Sequence, residues 1–184
     1  MYVMKYWQII EREEFDPSLV HVDRLICAVA ARQHGVIVWE QLVTIGAQRG
    51  AIEHRVKRGL LHALHRGVYL CGRPADDLRA RAMAAVIACG ERAVVSHTAA
   101  ATLWEIRPEV EGPITVTIVG DRARHAGIRA HQTHSLDPSD RKVLRGIPVT
   151  SAARTLLDNA FRPGSSAPWR SPGAGTDQAP GHQA

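Results

Sequence analysis

The stretch from residue 22 to residue 70 contains three predicted helices followed by a predicted hairpin, and this order limits the folds open to the chain. Apolar residues at positions 22, 25, 26, 29 and 30 recur at the spacing of one helix face, and Gly35 follows as a stop. Shorter helices are predicted at residues 39–45 and 48–58, each followed by a glycine. Residues 60–70 are rich in strand formers around a turn at 65–67, which predicts a β-hairpin.

Three helices and then a hairpin is the order of a winged helix-turn-helix, in which the third helix enters the major groove of DNA. We therefore predict an α+β chain with a winged helix-turn-helix DNA-binding domain at residues 21–73. An N-terminal extension (1–20) precedes it, and a small α+β domain (74–160) follows. Residues 161–184 are dominated by Pro, Gly, Ser, Ala and Gln, so we expect a disordered tail.

The second domain is predicted from capping residues and short apolar runs. Asp76 or Asp77 begins an Ala-rich helix that runs through Cys89, and Ser96 caps a helix over residues 97–104. Strands are predicted at residues 93–95, 114–119, 128–132 and 147–150, with a basic turn (Arg122, Arg124) between the second and third. A last helix ends at Ala160.

Positive charge is concentrated in the predicted third helix and the hairpin. Residues 47–73 hold six basic side chains against Glu53, which accounts for the chain's whole formal net charge of +5. The six are Arg49, Arg55, Lys57, Arg58, Arg66 and Arg73. A basic segment this local indicates a polyanionic partner, although a solvated charged face is the alternative.

A helical wheel separates the packed side of the third helix from its outer side. Ile52 and Val56 fall together on the packed side. The predicted DNA-binding residues are Arg49, Glu53, His54, Lys57 and Arg58 on the outer half, with Arg66 at the hairpin turn. Arg49 is the candidate for reading guanine, since a guanidinium forms two hydrogen bonds with that base. Lys57, Arg58 and Arg66 are candidates for phosphate contacts.

Several segments resemble the AbiEi-type antitoxins of type IV toxin–antitoxin systems. Residues 35–42 (GVIVWEQL), 49–59 (RGAIEHRVKRG) and 65–69 (HRGVY) resemble the N-terminal domain of that family. Residues 96–100 (SHTAA), 127–131 (GIRAH) and 146–158 (GIPVTSAARTLLD) resemble the domain that follows it. The resemblance covers about residues 22–160 and ends near Asn159.

The resemblance implies a cytoplasmic bacterial repressor that binds double-stranded DNA at the promoter of its own operon. It also implies a functional link to a toxin that resembles a nucleotidyltransferase. Many relatives continue into a domain similar to very-short-patch repair endonucleases, where this chain has its low-complexity tail. Relatives often have Thr or Ser at the helix starts where this chain has Val38 and Gln48, so both helices lack a hydroxyl cap.

No catalytic site, metal site or cofactor is predicted. Ser96 and His97 lack the Gly-x-Ser-x-Gly turn of a hydrolase, and a helix cap explains Ser96. Asp137, Asp140 and Lys142 resemble a fragment of a nuclease site but fall in a predicted loop without a strand to fix them. His131 and His134 are interpreted as surface histidines.

Three cysteines without a C-x-x-C pair favour reduced thiols, and Cys27 and Cys89 are predicted to be buried. The chain has no apolar run long enough for a membrane span, and its start does not resemble a signal peptide. Two alternatives to a DNA-binding regulator remain open at this point. They are the remnant of an endonuclease-containing protein, and a protein-interaction module.

Overall fold

A computed structural model describes residues 22–72, 77–109, 111–120 and 125–160. The predicted N-terminal extension, the predicted tail, Arg73 and the two arginines of the predicted basic turn lie outside the described residues. The helices are α1 (Val22–Ala31), α2 (Trp39–Thr44), α3 (Arg49–Lys57), α4 (Leu78–Cys89), α5 (His97–Leu103) and α6 (Ala152–Ala160). The strands are β1 (Val36–Val38), β2 (Leu61–His65), β3 (Val68–Cys71), β4 (Ala93–Val95), β5 (Ile114–Val119), β6 (Ile128–Thr133), β7 (Arg141–Leu144) and β8 (Ile147–Thr150).

Helices α1, α2 and α3 pack on one face of a three-stranded antiparallel sheet of order β1-β3-β2. Their common core contains Ile26, Ile37, Leu42, Ile52 and Leu61, all almost fully buried. The three helices and the β2–β3 hairpin agree with the predicted elements to within two residues. The structure therefore confirms these elements, and with them the α+β class.

Strand β1 was not predicted, although it completes this sheet. It pairs with β3 along its whole length, from Val36 opposite Leu70 to Val38 opposite Val68. A run of three apolar residues between two helices has no alternating pattern, so its strand identity depends on a partner more than 30 residues away. Pairing with β1 makes β3 the central strand and fixes the position of the hairpin.

The second sheet has five strands in the order β6-β5-β4-β8-β7. The β5–β6 and β4–β8 pairs are parallel, whereas β4–β5 and β7–β8 are antiparallel. Helices α5 and α6 contact each other beside this sheet. A short 3-10 turn, Pro138–Asp140, leads into β7.

Helix α4 joins the two sheets into one core. Its start is capped as predicted, because the Arg79 amide donates to the Asp77 carboxylate at 3.0 Å. Its alanines and Met83 are buried in a cluster that includes Val36 and Leu70 of the first sheet and Val116 of the second. The small side chains of the alanines let strands of both sheets approach the helix closely. The core thus extends across the predicted domain boundary at residues 73 and 74.

Three predictions about individual residues in these elements were wrong. Ser96 precedes α5, but its hydroxyl makes no cap hydrogen bond, because Thr117 donates to it at 2.8 Å and the ring of His97 lies at 3.0 Å. Asp140 and Lys142 are not in a loop, since the 3-10 turn and strand β7 hold them. Cys27 is exposed on α1, although Cys89 packs partly buried against the core.

Candidate nucleic-acid interface

Helix α3 is held by its inner side and leaves most of its polar residues in solvent. Ile52 is 1% exposed and anchors the helix in the core that α1, α2 and α3 share, which we call the first core. On the same side, the Arg55 guanidinium donates to the Asp23 carboxylate of α1 at 2.6 Å. Arg55 belongs to the basic segment at residues 47–73, but its charge is compensated by this ion pair. Arg55 therefore has a structural role in fixing α3 to α1.

The packed side of α3 is narrower than the helical wheel predicted. Val56 is 36% exposed, so Ile52 alone carries the burial that we expected from both residues. The difference arises because Val56 faces an open cleft between α3 and the hairpin. As predicted, Gln48 at the helix start makes no side-chain cap hydrogen bond.

The hairpin turn is fixed beside α3 by the start of α2. The Trp39 amide donates to the Gly67 carbonyl at 2.8 Å. Gly67 has a φ of +73°, a conformation that favours glycine, and an added Cβ would lie 3.8 Å from the Trp39 side chain. The adjacent Arg66 is exposed at the tip of the turn. A backbone contact thus positions the hairpin cation opposite α3.

Together these elements form an open cleft of about 850 Å³. Its apolar surface comes from Trp39, Ile52, Val56, Ala63 and Tyr69. Its charged and remaining lining residues are Glu40, Arg49, Glu53, Lys57, Arg66 and Gly67. A cleft with aromatic and aliphatic surface between three cationic side chains suits a partner that offers phosphates and flat or methyl-bearing bases.

The structure brings together four of the six predicted DNA-binding residues. Arg49, Glu53, Lys57 and Arg66 line the cleft. His54 on α3 and Arg58 directly after it are also exposed, but they do not line the cleft. Trp39 and Tyr69 line the cleft without having been predicted. Both lie in the segments that carry the family resemblance, which was the only sequence signal for them.

Arg49 and Glu53 form an ion pair across one turn of α3, with 3.1 Å between Nε and Oε1. Their side chains are 81% and 58% exposed. An exposed pair of this kind contributes little to stability because water and salt screen it. The pair is therefore free to open, and Arg49 can exchange its carboxylate partner for another acceptor.

The second position of α3 offers a test of helix stability that leaves the cleft unchanged. A Cβ added at Gly50 meets no atom within 4 Å. We expect Gly50→Ala to stabilise the chain by roughly 1 kcal/mol and to raise Tm by roughly 2–4 °C in a thermal melt followed by circular dichroism. Gly59→Ala is the contrasting variant, because Gly59 has a φ of +70° and should lose stability. A lower Tm for Gly50→Ala would contradict this account of α3.

A histidine pair connects the hairpin to the second sheet. The rings of His65 and His125 meet edge to face, with centroids 5.9 Å apart. Burial, and to a smaller extent the charge of His125, lowers the pKa of His65 below its ordinary value of 6.5. His65 therefore binds a proton more readily in the unfolded chain than in the folded one. The free energy of unfolding keeps its full value above pH 6.5 and decreases as the pH falls from 6.5 through the lowered pKa of His65.

The expected result is a lower Tm at about pH 5 than at about pH 7, with a smaller difference for His65→Gln. Melts of both proteins across this range measure the difference directly. Equal pH dependence in the two proteins would exclude His65 as a contributor.

The structure gives no accessible nucleophile at Ser96, which is fully buried. His131 stacks on His97 with ring centroids 4.1 Å apart, and no group of potential metal ligands is found among the described residues. Asp140 forms an ion pair with Arg154, whose guanidinium donates to its carboxylate at 3.1 Å, and Asp137 is exposed. A hydrogen bond from Ser139 lowers the pKa of the Asp137 carboxyl. The carboxylates of the suspected nuclease fragment are thus occupied with local contacts.

Comparison with known proteins leaves the site to be interpreted from its own residues. A scan of the chain against protein-family models finds no matching family, and a search of curated proteins finds no match.

Proposed function

We propose that the protein is a DNA-binding transcriptional regulator whose DNA-binding part is a winged helix-turn-helix. The observation that carries the proposal is the cleft between α3 and the hairpin, with Arg49, Lys57 and Arg66 around an apolar surface. In this interpretation α3 is the recognition helix and the β2–β3 hairpin is the wing. Helix α3 has nine residues and spans about 14 Å, which is long enough to lie across the major groove.

Five side chains of the cleft have assigned roles in this proposal. Arg49, at the first turn of α3, reads guanine through two hydrogen bonds once its pair with Glu53 opens. Glu53 is then able to accept a hydrogen bond from the amino group of cytosine. Lys57 and the wing residue Arg66 contact phosphates on either side of the groove. Val56, exposed between them, is suited to contact a thymine methyl group.

The experiment is a gel-shift titration of the full chain on the DNA upstream of its gene, with an unrelated duplex as competitor. With the two phosphate contacts assigned to Lys57 and Arg66, affinity should fall by roughly one order of magnitude between about 50 and about 200 mM salt. The specific duplex should resist competition by the unrelated one. Absence of binding, or binding that does not respond to salt, would reject the proposal.

We also propose that the regulator is an antitoxin of the AbiEi type that represses its own operon, as a cytoplasmic protein without catalytic activity. This proposal rests on the sequence resemblance of about residues 22–160. No helix within the described ranges has the length and apolar character needed to cross a membrane. A promoter–reporter fusion should be repressed when the chain is expressed in trans. Co-expression with an adjacent nucleotidyltransferase-like gene should restore growth if the antitoxin part of the proposal holds.

A further inference from the structure

Two cysteines that are far apart in the sequence lie side by side at the edge of the first core. The Sγ atoms of Cys27 and Cys71 are 3.5 Å apart, and the residues are 44 positions apart in the chain. Cys27 is exposed on α1, and Cys71 is half-buried at the end of β3. Both are free thiols. Because α1 and β3 pack on the same core, the two sulfur atoms are held close by regular secondary structure rather than by a loop.

We propose that Cys27 and Cys71 form an oxidation site, at which a hydroperoxide converts the two thiols to an intramolecular disulfide. A disulfide requires the two sulfur atoms to approach from 3.5 Å to about 2.05 Å. From the sequence alone reduced thiols are expected, because the odd count and the spacing of the cysteines indicate no pairing. The proximity of these two residues arises from the fold and is not visible in the sequence.

The exposure of the two residues assigns an order to the reaction. The Cys27 thiolate attacks the peroxide, so that an S–O bond forms, the O–O bond breaks and water or an alcohol leaves. Cys71 then attacks the sulfenic acid sulfur of Cys27, and a second water leaves with the displaced oxygen and the thiol proton. The two thiols are oxidised by two electrons and one hydroperoxide is reduced. Burial, the hydrogen bond with Cys27 and the nearby Asp23 raise the pKa of the Cys71 thiol to about 12, so Cys71 is protonated at neutral pH and its attack on the sulfenic acid is the slower of the two steps.

Cys89 provides a matched control within the same chain. It lies at the end of α4, and burial raises the pKa of its thiol to about 11. No other cysteine is in contact with it among the described residues. It is therefore expected to stay reduced under conditions that oxidise the pair.

The oxidised bond would enclose the whole cleft region in one covalent loop, because every cleft residue lies between positions 27 and 71. It would also link α1 covalently to β3. Because Asp23 of α1 forms an ion pair with Arg55 of α3, this link would restrain the position of α3 as well. We expect the disulfide to raise Tm, on the order of 10 °C, relative to the same protein in a thiol reductant.

The test is peptide mapping of the full chain after brief treatment with hydrogen peroxide and alkylation of the remaining thiols. Trypsin places the three cysteines on separate peptides, since arginines lie between them. The expected product is a cross-linked peptide pair containing Cys27 and Cys71, with Cys89 alkylated. Cys89→Ser should behave like the original protein, and Cys27→Ser should lose both the cross-link and the rise in Tm.

Three results would overturn the proposal: a disulfide between two chains through Cys27, further oxidation of Cys27 with Cys71 still alkylated, or a cross-link that includes Cys89. The exposed Cys27 tolerates serine, so failure to fold does not obscure the result. The experiment contains no DNA, and its outcome is therefore independent of the proposed regulatory function.

Discussion

Replacing Arg49 and Lys57 together by alanine is expected to weaken binding to duplex DNA by about 100-fold at about 100 mM salt. Arg49 supplies a base contact in the proposed complex, and Lys57 supplies a phosphate contact on the same side of α3. Loss of a guanine contact costs about 1–3 kcal/mol, and loss of a phosphate contact adds to it. The slope of log affinity against log salt should decrease by about 1 for each phosphate contact that is lost.

Two double variants control for charge and for the side of the helix. Arg129→Ala with Lys142→Ala removes the same charge from exposed positions on β6 and β7, and should leave affinity nearly unchanged. His54→Ala with Arg58→Ala alters exposed residues on α3 and at its C-terminal end that do not line the cleft, and should weaken binding less than the Arg49 and Lys57 variant does. If this variant binds more weakly than the Arg49 and Lys57 variant, the DNA-facing side of α3 is the opposite one.

Sequence patterns were sufficient for elements whose identity is local. Helical periodicity predicted α1, and glycines at positions 46 and 59 predicted where α2 and α3 end. Strands β1 and β7 were missed for a common reason. Each gains its structure from one long-range or edge pairing, and neither Val36–Val38 nor Arg141–Leu144 alternates between apolar and polar residues.

The candidate site was predictable in its charges and not in its shape. Arg49, Lys57 and Arg66 follow from residue type and position, but the cleft between them depends on the Trp39–Gly67 hydrogen bond that fixes the hairpin. Ser96 is a second case that the local sequence does not predict. A serine before a helix is ordinarily a cap, but here the hydroxyl of Ser96 accepts a hydrogen bond from Thr117, 21 residues away. Contacts between residues far apart in the chain decide such cases, and no local pattern encodes them.

The largest expected effect on stability follows from replacing Met83 by alanine. Met83 is 1% exposed in α4, in the cluster that contains residues of both sheets. Truncating a buried methionine costs about 2–5 kcal/mol through lost burial and the cavity that remains. For a chain of this size the cost corresponds to a fall in Tm of roughly 5–20 °C. Met83→Leu conserves the volume and should cost less than about 1.5 kcal/mol.

The distribution of the stability loss in Met83→Ala between the two sheets is more informative than the total loss. It tests whether the two sheets unfold as one cooperative unit. Hydrogen exchange followed by mass spectrometry measures protection separately in β3, beneath the cleft, and in β5, an interior strand of the second sheet. If α4 couples the sheets as the common core indicates, both strands should lose protection together and by a similar factor. Loss confined to β5 would instead mean that residues 21–73 fold independently. In that case the proposed DNA-binding part would tolerate disruption of everything that follows it. Joint loss would predict that substitutions far from the cleft weaken the proposed DNA binding, although they change no residue of the cleft.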